Sequence, residues 1–326
     1  MDPLHKTTLG ASDVPVTSLG LGTAPLGGWP AAVTPEDGLA TVRAAWDVGL
    51  RYFDTAPFYG YGQSERWVGE VLRDQPRSSF TLSTKMGRLL VPAEETPALF
   101  HGDHHLTAVF DFSYDGAMRS LEESLQRMGL DRVDVALIHD PDDELDEALD
   151  GTYRALHDLR SQGVVGAIGA GMNWIEPLVY LASRADFDCI LLAGRYTILE
   201  QESLDELLPL ALEKQFSIVA GGVFNSGVLV DPSAGATYNY AEAPDDIVAR
   251  ARRIHDVCAR HGVDPKAAAL QFPLAHPAVS TIVTGARTAA EIEANAALMA
   301  APLPSELWED LRSAGLLRED APTPAA

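Results

Sequence analysis

The sequence predicts an α/β fold, a (β/α)8 TIM barrel closed by a short N-terminal hairpin and carrying long loops at its C-terminal face. Eight short apolar runs recur along the 326 residues. Most lack polar alternation, as strands buried on both faces require. Helical patterns fill the gaps between them, and strict strand–helix alternation is the mark of a parallel sheet. The length suits one barrel domain, assigned to residues 1–317, with residues 318–326 (REDAPTPAA) expected as a disordered tail.

The elements follow in chain order. HKTTLGASDVPVTSLG reads as the hairpin at the barrel bottom. The strands are expected at Thr17–Gly22, Arg51–Asp54, Phe80–Thr84, Val133–Ile138, Val164–Gly169, Cys189–Ala193, Ser217–Ala220 and Ser280–Val283. TPEDGLATVRAAWDVG has Thr34 as N-cap, Pro35 at the first helical position and acids in the first turn. SYDGAMRSLEESLQRMG is capped by Ser113 and aligns Met118, Leu121, Leu125 and Met128 on one stripe. Further helices are expected near Leu145–Ser161, Ile175–Arg184, Glu202–Lys214, Pro244–His261, Ala289–Met299 and Ser305–Ala314. A doubly wound fold would need a GxGxxG turn after a strand. GLGTAPLGG at Gly20–Gly28 has the wrong spacing and reads as the first strand and its loop.

Composition narrows the function classes. A formal net charge of −23 disfavours nucleic acid and anionic membranes, which need a basic footprint. The dense acidic patch Asp140 to Glu147 reads as a solvated loop and helix start. Cys189 and Cys258 have no metal-ligand spacing, which fits a reduced, cytoplasmic protein. No N-terminal apolar segment resembles a signal peptide, and no run approaches the ~20 residues that span a bilayer.

In such barrels chemistry sits at the C-terminal strand ends. The second strand ends in Asp54, with Tyr59 in the loop that follows. The third ends in Lys85 and the fourth in His139. A phenol titrates near ~10, and a neighbouring ammonium would lower that value. Asp54 would compensate a buried Lys85, and His139 could orient a substrate oxygen. Each residue alone has a structural explanation; together, at the ends of successive strands, they make a proton donor or acceptor beside an oxygen.

FDTAPFYGYGQSE, TKMG and LIHD resemble the signatures of the aldo-keto reductases, a family of NAD(P)-dependent oxidoreductases on this barrel. The resemblance runs from about Leu9 to Leu317. It implies that Asp54, Tyr59, Lys85 and His139 form the catalytic tetrad, with Tyr59 as acid/base. It places Met172 and Asn173 at the nicotinamide carboxamide. It also places TGARTAAEIEAN, with Gly285, Arg287, Glu291 and Asn295, at the adenosine phosphate. Where relatives stack a tyrosine on nicotinamide this chain has Gly221, which leaves that role vacant or passes it to Phe224. Glu291 stands where NADP-preferring members carry arginine. A carboxylate suits a ribose diol, so NAD is the preferred cofactor, while Arg287 keeps NADP open.

FDFSYDG, LIHDPDD, LLAGRYT and GGVFNSGVL resemble the branch of L-fucose, D-threo-aldose 1-, L-galactose and pyridoxal 4-dehydrogenases. The reaction this implies is oxidation of an aldose at C1 to a lactone, with a small sugar or aldehyde as the only partner beyond a monomer or homodimer. Trp29, Phe58, Trp174 and Tyr196, with Phe224, are candidate pocket walls. Three rivals stand beside this reading: an NADPH-dependent aldehyde or ketone reductase, a non-catalytic cofactor-binding subunit, and a metal-dependent hydrolase. The last rests on His101, Asp103, His104 and His105 in FHGDHHL, in the long loop after strand three, read otherwise as a substrate-covering loop.

Overall fold

A computed structural model gives the structure, which describes residues 1–95, 99–102 and 105–325. The barrel strands are β1 (Leu19–Gly22), β2 (Tyr52–Asp54), β3 (Thr81–Met86), β4 (Val135–His139), β5 (Ala167–Met172), β6 (Cys189–Ala193), β7 (Ser217–Gly221) and β8 (Val279–Gly285). All pair in parallel, and β8 closes on β1 with Val283 opposite Gly20. The helices are α1 (Pro35–Asp47), α2 (Gln63–Leu72), α3 (Tyr114–Met128), α4 (Arg154–Ser161), α5 (Ile175–Arg184), α6 (Leu207–Lys214), α7 (Asp245–Arg260), α8 (Pro265–Gln271), α9 (Ala289–Ala300) and α10 (Ser305–Ser313). A helical turn at Leu145–Glu147 and a π stretch at Ala148–Tyr153 lead into α4.

The strand period of two divides the core. Tyr52, Val135, Leu137, Leu191, Val219 and Val283 face the barrel interior, while Phe53, Ala136, Ile138 and Ile190 face the helices. Tyr52 fills the centre and shares a 3.2 Å hydrogen bond with Ser83. Gly20 makes that possible, since a Cβ there would lie 2.9 Å from the Tyr52 ring. The hairpin Lys6–Thr8 with Pro15–Thr17 closes the bottom as expected, and Leu9, Val14 and Val16 join the interior core.

Three expectations need correction. The long segment after β3 is more than a covering loop, because Arg88–Pro92 and Leu106–Phe110 pair as an antiparallel hairpin. α8 was not foreseen, although Asp264 caps it by accepting from the Lys266 amide and Pro265 opens it. The tail is not disordered over residues 318–325. Arg312 donates to Ala321 O and Thr323 Oγ1 at 2.8 and 3.0 Å, Ala321 is buried, and Arg318 pairs with Asp205 at 2.6 Å. Among the described residues no helix is long and apolar enough to cross a membrane.

Candidate active site

The inward parity of Tyr52, Ser83 and Leu137 carries two residues further to Asp54, Lys85 and His139, so all three enter the barrel mouth from adjacent strands. Lys85 Nζ donates to Asp54 Oδ2 at 2.7 Å and to the Thr55 carbonyl at 3.0 Å. Ser83 Oγ donates to the other Asp54 oxygen at 2.7 Å. The lysine and aspartate side chains are 1% and 3% exposed, so each buried charge is compensated by the other.

Tyr59 arrives from the loop between β2 and α2. Gly27 and Gly60 pack so closely there that a Cβ on Gly27 would sit 2.5 Å from the Gly60 nitrogen. Ser64 Oγ ties this loop to Thr23 Oγ1 at 2.6 Å. Lys85 Nζ lies 4.7 Å from the Tyr59 ring centroid, and the His139 ring stands edge-on at 5.9 Å. The structure therefore brings the four expected residues together.

The electrostatics differ from expectation at one point. Burial pushes the Tyr59 phenol well above its ordinary range, and Asp54, Tyr240 and Asp140 add to that; Arg88 opposes it. The expected lowering by Lys85 is not seen, because burial dominates at the phenol and the Asp54 carboxylate adds to it. Burial, helped by Arg88 and Lys85, holds His139 well below the ordinary histidine range, so the ring is neutral near pH 7. Its Nδ1 is buried with no partner among the described residues.

Opposite this polar half, the inward-facing ends of β5 to β8 are Gly171, Ala193, Gly221 and Gly285. The strand ends there carry nothing larger than a methyl, although the Pro25 ring packs against Gly285, where a Cβ would lie 2.5 Å from its Cγ. Asn173, just after β5, lies beside the Tyr240 hydroxyl. Further out, Thr288 caps α9 by accepting from the Glu291 amide at 3.3 Å. Glu291 accepts the Arg287 amide at 2.8 Å and pairs with its guanidinium at 3.4 Å. Asn295 reaches back to Thr284 Oγ1 at 3.5 Å.

Not every expected residue faces the site. Met172 follows inward Gly171 and so packs in the layer between barrel and helices. Tyr196 is buried in the same outer layer, 5.2 Å from Phe272 and edge-on to His276, and is no pocket wall. Phe224 packs against that layer too. Phe58 packs edge-on to His139 at 6.3 Å. Trp174 is half exposed beneath the Arg195 guanidinium. Trp29 meets the edge of Tyr240 at 4.9 Å.

Tyr240 is the residue missed from the sequence. Thr237–Tyr238 pairs with Ala241–Glu242 across a two-residue turn, Asn239–Tyr240, with φ of 49° and 63°. Both positive values match a type I′ turn, in which tyrosine is unusual. Arg195 anchors the turn by donating to Asn239 Oδ1 at 3.1 Å while paired to buried Glu200 at 3.0 Å, and Tyr238 donates to the same carboxylate. An asparagine between two short β-forming runs was the available signal.

Comparison with known proteins fixes the lineage of this site. Residues 18–315 match the Aldo/keto reductase family. The chain is an aldo/keto reductase. It is 42% identical to pyridoxal 4-dehydrogenase of Microbacterium luteolum, over 96% of this chain and 98% of that one. It is 40% identical to D-threo-aldose 1-dehydrogenase of a Pseudomonas species, over 96% and 97%. Among solved structures, an aldo-keto reductase from Bacillus halodurans in its holo form superposes with a TM-score of 0.75 at 24% identity, covering 97% of each chain. As an aldo/keto reductase the protein is an oxidoreductase that uses an NAD(P)(H) cofactor. Family membership sets the hydrolase reading aside; of its residues, Asp103 and His104 lie outside the described ones.

Proposed function

We propose that this aldo/keto reductase oxidises the anomeric C1 hydroxyl of an aldose to a lactone, with NAD as preferred cofactor and Tyr59 as the acid/base. The observation that carries the reading is the buried Lys85–Asp54 pair, 2.7 Å apart, with its ammonium against the Tyr59 ring. Tyr59 takes the hydroxyl proton, and neutral His139 donates to the same oxygen and orients it. The C1–H bond breaks with its electron pair, and the C1–O single bond becomes the lactone carbonyl. The cofactor, when bound, accepts that hydride.

The residues fit such a cofactor. The small strand ends at Gly171, Ala193 and Gly221 suit a flat ring, and Asn173, just after β5, has a carboxamide to offer. Met172 contributes through backbone only. The α9 N-terminus, with Gly285, Arg287, Glu291 and Asn295, suits the adenosine end. Glu291 holds Arg287 in an ion pair, and a 2′-phosphate would have to compete for that guanidinium. Replacing Glu291 by Gln is therefore expected to shift the NADP⁺/NAD⁺ ratio of kcat/KM toward NADP⁺ by on the order of 10-fold. An unchanged ratio would remove Glu291 from cofactor choice.

A second reading, oxidation of the hemiacetal of pyridoxal, uses the same groups and draws on the 42% identity to pyridoxal 4-dehydrogenase. The deciding experiment follows reduced-cofactor absorbance with NAD⁺ and NADP⁺ in parallel over L-fucose, D-arabinose, L-galactose and pyridoxal. NAD-linked oxidation of one sugar supports the proposal, and oxidation of pyridoxal alone supports the second reading. NADPH-linked reduction of simple aldehydes, without sugar oxidation, overturns both.

A further inference from the structure

Beside His139 lies a pair of side chains that the chemistry above leaves idle. Arg88, the first residue of the Arg88–Pro92 strand, donates from Nη2 to Asp140 Oδ2 at 2.8 Å. The same oxygen is 3.4 Å from His139 Nε2. Asp140 Oδ1 accepts no hydrogen bond from any described residue, and the aspartate side chain keeps 27% of its surface exposed. The guanidinium is fixed between two rings, 4.2 Å from the Phe58 centroid and 4.5 Å from that of Phe110. Its Nε is buried with no partner among the described residues.

The backbone is committed to this placement. Asp140 has φ of 45°, a left-handed conformation, and its amide donates to Gly171 O at 3.2 Å. A non-glycine residue held there costs stability, which points to use rather than packing. The ion pair is also poorly explained as a stabiliser. Burial pushes the Asp140 carboxyl up to about 6, against the pull of Arg88, so the site does not favour its charge.

We propose that Asp140 and Arg88 read the hydroxyl on the carbon adjacent to the reacting one, making the site selective for 2-hydroxy substrates. A hydroxyl donates one hydrogen bond and accepts others, so it satisfies a carboxylate and a guanidinium together. Neighbouring oxygens of a vicinal pair lie roughly 3 Å apart, about one hydrogen-bond length. The 3.4 Å gap between His139 Nε2 and Asp140 Oδ2 matches that spacing. The first oxygen rests on Tyr59 and His139 and the second on Asp140 and Arg88. This inference rests on the proposed function only in taking Tyr59 and His139 as the seat of the reacting oxygen.

The test compares kcat/KM for the best aldose and its 2-deoxy counterpart in the wild type, Asp140→Ala and Asp140→Asn. The wild type is expected to prefer the hydroxylated sugar by on the order of 10- to 100-fold, the worth of a hydrogen bond to a charged group. Asp140→Ala should reduce that preference to within about threefold, through the KM of the hydroxylated sugar rather than kcat. Asp140→Asn, which keeps the shape and one acceptor, should fall between. Equal loss of kcat on both sugars would show Asp140 acting through His139, and an unchanged preference would show no role; either overturns the inference. If no sugar is oxidised, the proposed function fails separately. The inference is then read from NADPH- and NADH-linked reduction of glyceraldehyde against propanal. A preference for the hydroxyaldehyde that collapses in Asp140→Ala sustains it, and equal rates, or none on either, overturn it.

Discussion

Tyr59→Phe is expected to lower kcat by on the order of 10²–10⁴-fold, the usual contribution of a positioned acid/base, while cofactor affinity stays within about twofold. The change removes one oxygen and leaves a ring that still packs beside Lys85 and His139. The loss should appear equally in kcat and kcat/KM, because the group acts on a proton in flight. A pH dependence goes with it. Oxidation needs the phenolate, and burial with Asp54, Tyr240 and Asp140 raises the phenol pKa in the cofactor-free protein. The oxidation rate should therefore climb as pH rises through the alkaline range. Reduction, which needs the phenol, should hold across neutral pH and fall only in base. Pre-steady-state absorbance at several pH values checks both, and a flat oxidation profile would remove Tyr59 from the proton transfer.

The second large effect is expected from Lys85→Met. It leaves Asp54, 2% exposed, without its ammonium partner, retaining among the described residues the Ser83 Oγ hydrogen bond at 2.7 Å. Breaking a buried pair from one side costs about 3–5 kcal/mol. Denaturant unfolding should show that loss, together with a collapse of turnover. The double variant Asp54→Asn with Lys85→Met separates the two consequences. It removes the buried charge, so most of the stability should return, while turnover should remain lost. Recovery of both would make the pair a packing device with no part in the chemistry.

How much of this was legible in the sequence depends on the range of the interactions concerned. Asp54, Lys85 and His139 could be placed because each ends a short strand-like run, and strand parity turns each of them inward. The same parity argues against Met172 as a facing side chain, since Gly171 before it points in; that signal was present and unused. Tyr196 was misread because an aromatic just past a strand end can turn outward, and Phe272 and His276, about 80 residues away in sequence, decide that it does. Tyr240 depends on an anchor from Arg195 and Glu200, which no local pattern reveals. The tail is held by Arg312 and Asp205 in the same non-local way. The sign of the Tyr59 shift was invisible for another reason. It turns on how deeply the phenol is buried and how close the Asp54 carboxylate lies to it, and both are properties of the packed site.

The central claim is that a hydride leaves C1 of a sugar while Tyr59 takes the proton from the oxygen on the same carbon. The most direct measurement uses the preferred aldose carrying deuterium at C1 and follows the reduced cofactor by proton NMR. Deuterium is expected at C4 of the nicotinamide, on one face, transferred by the wild type and by Tyr59→Phe only at its much lower residual rate. Reduced cofactor that carries no deuterium would contradict it, because the hydride would then have come from somewhere other than the anomeric carbon.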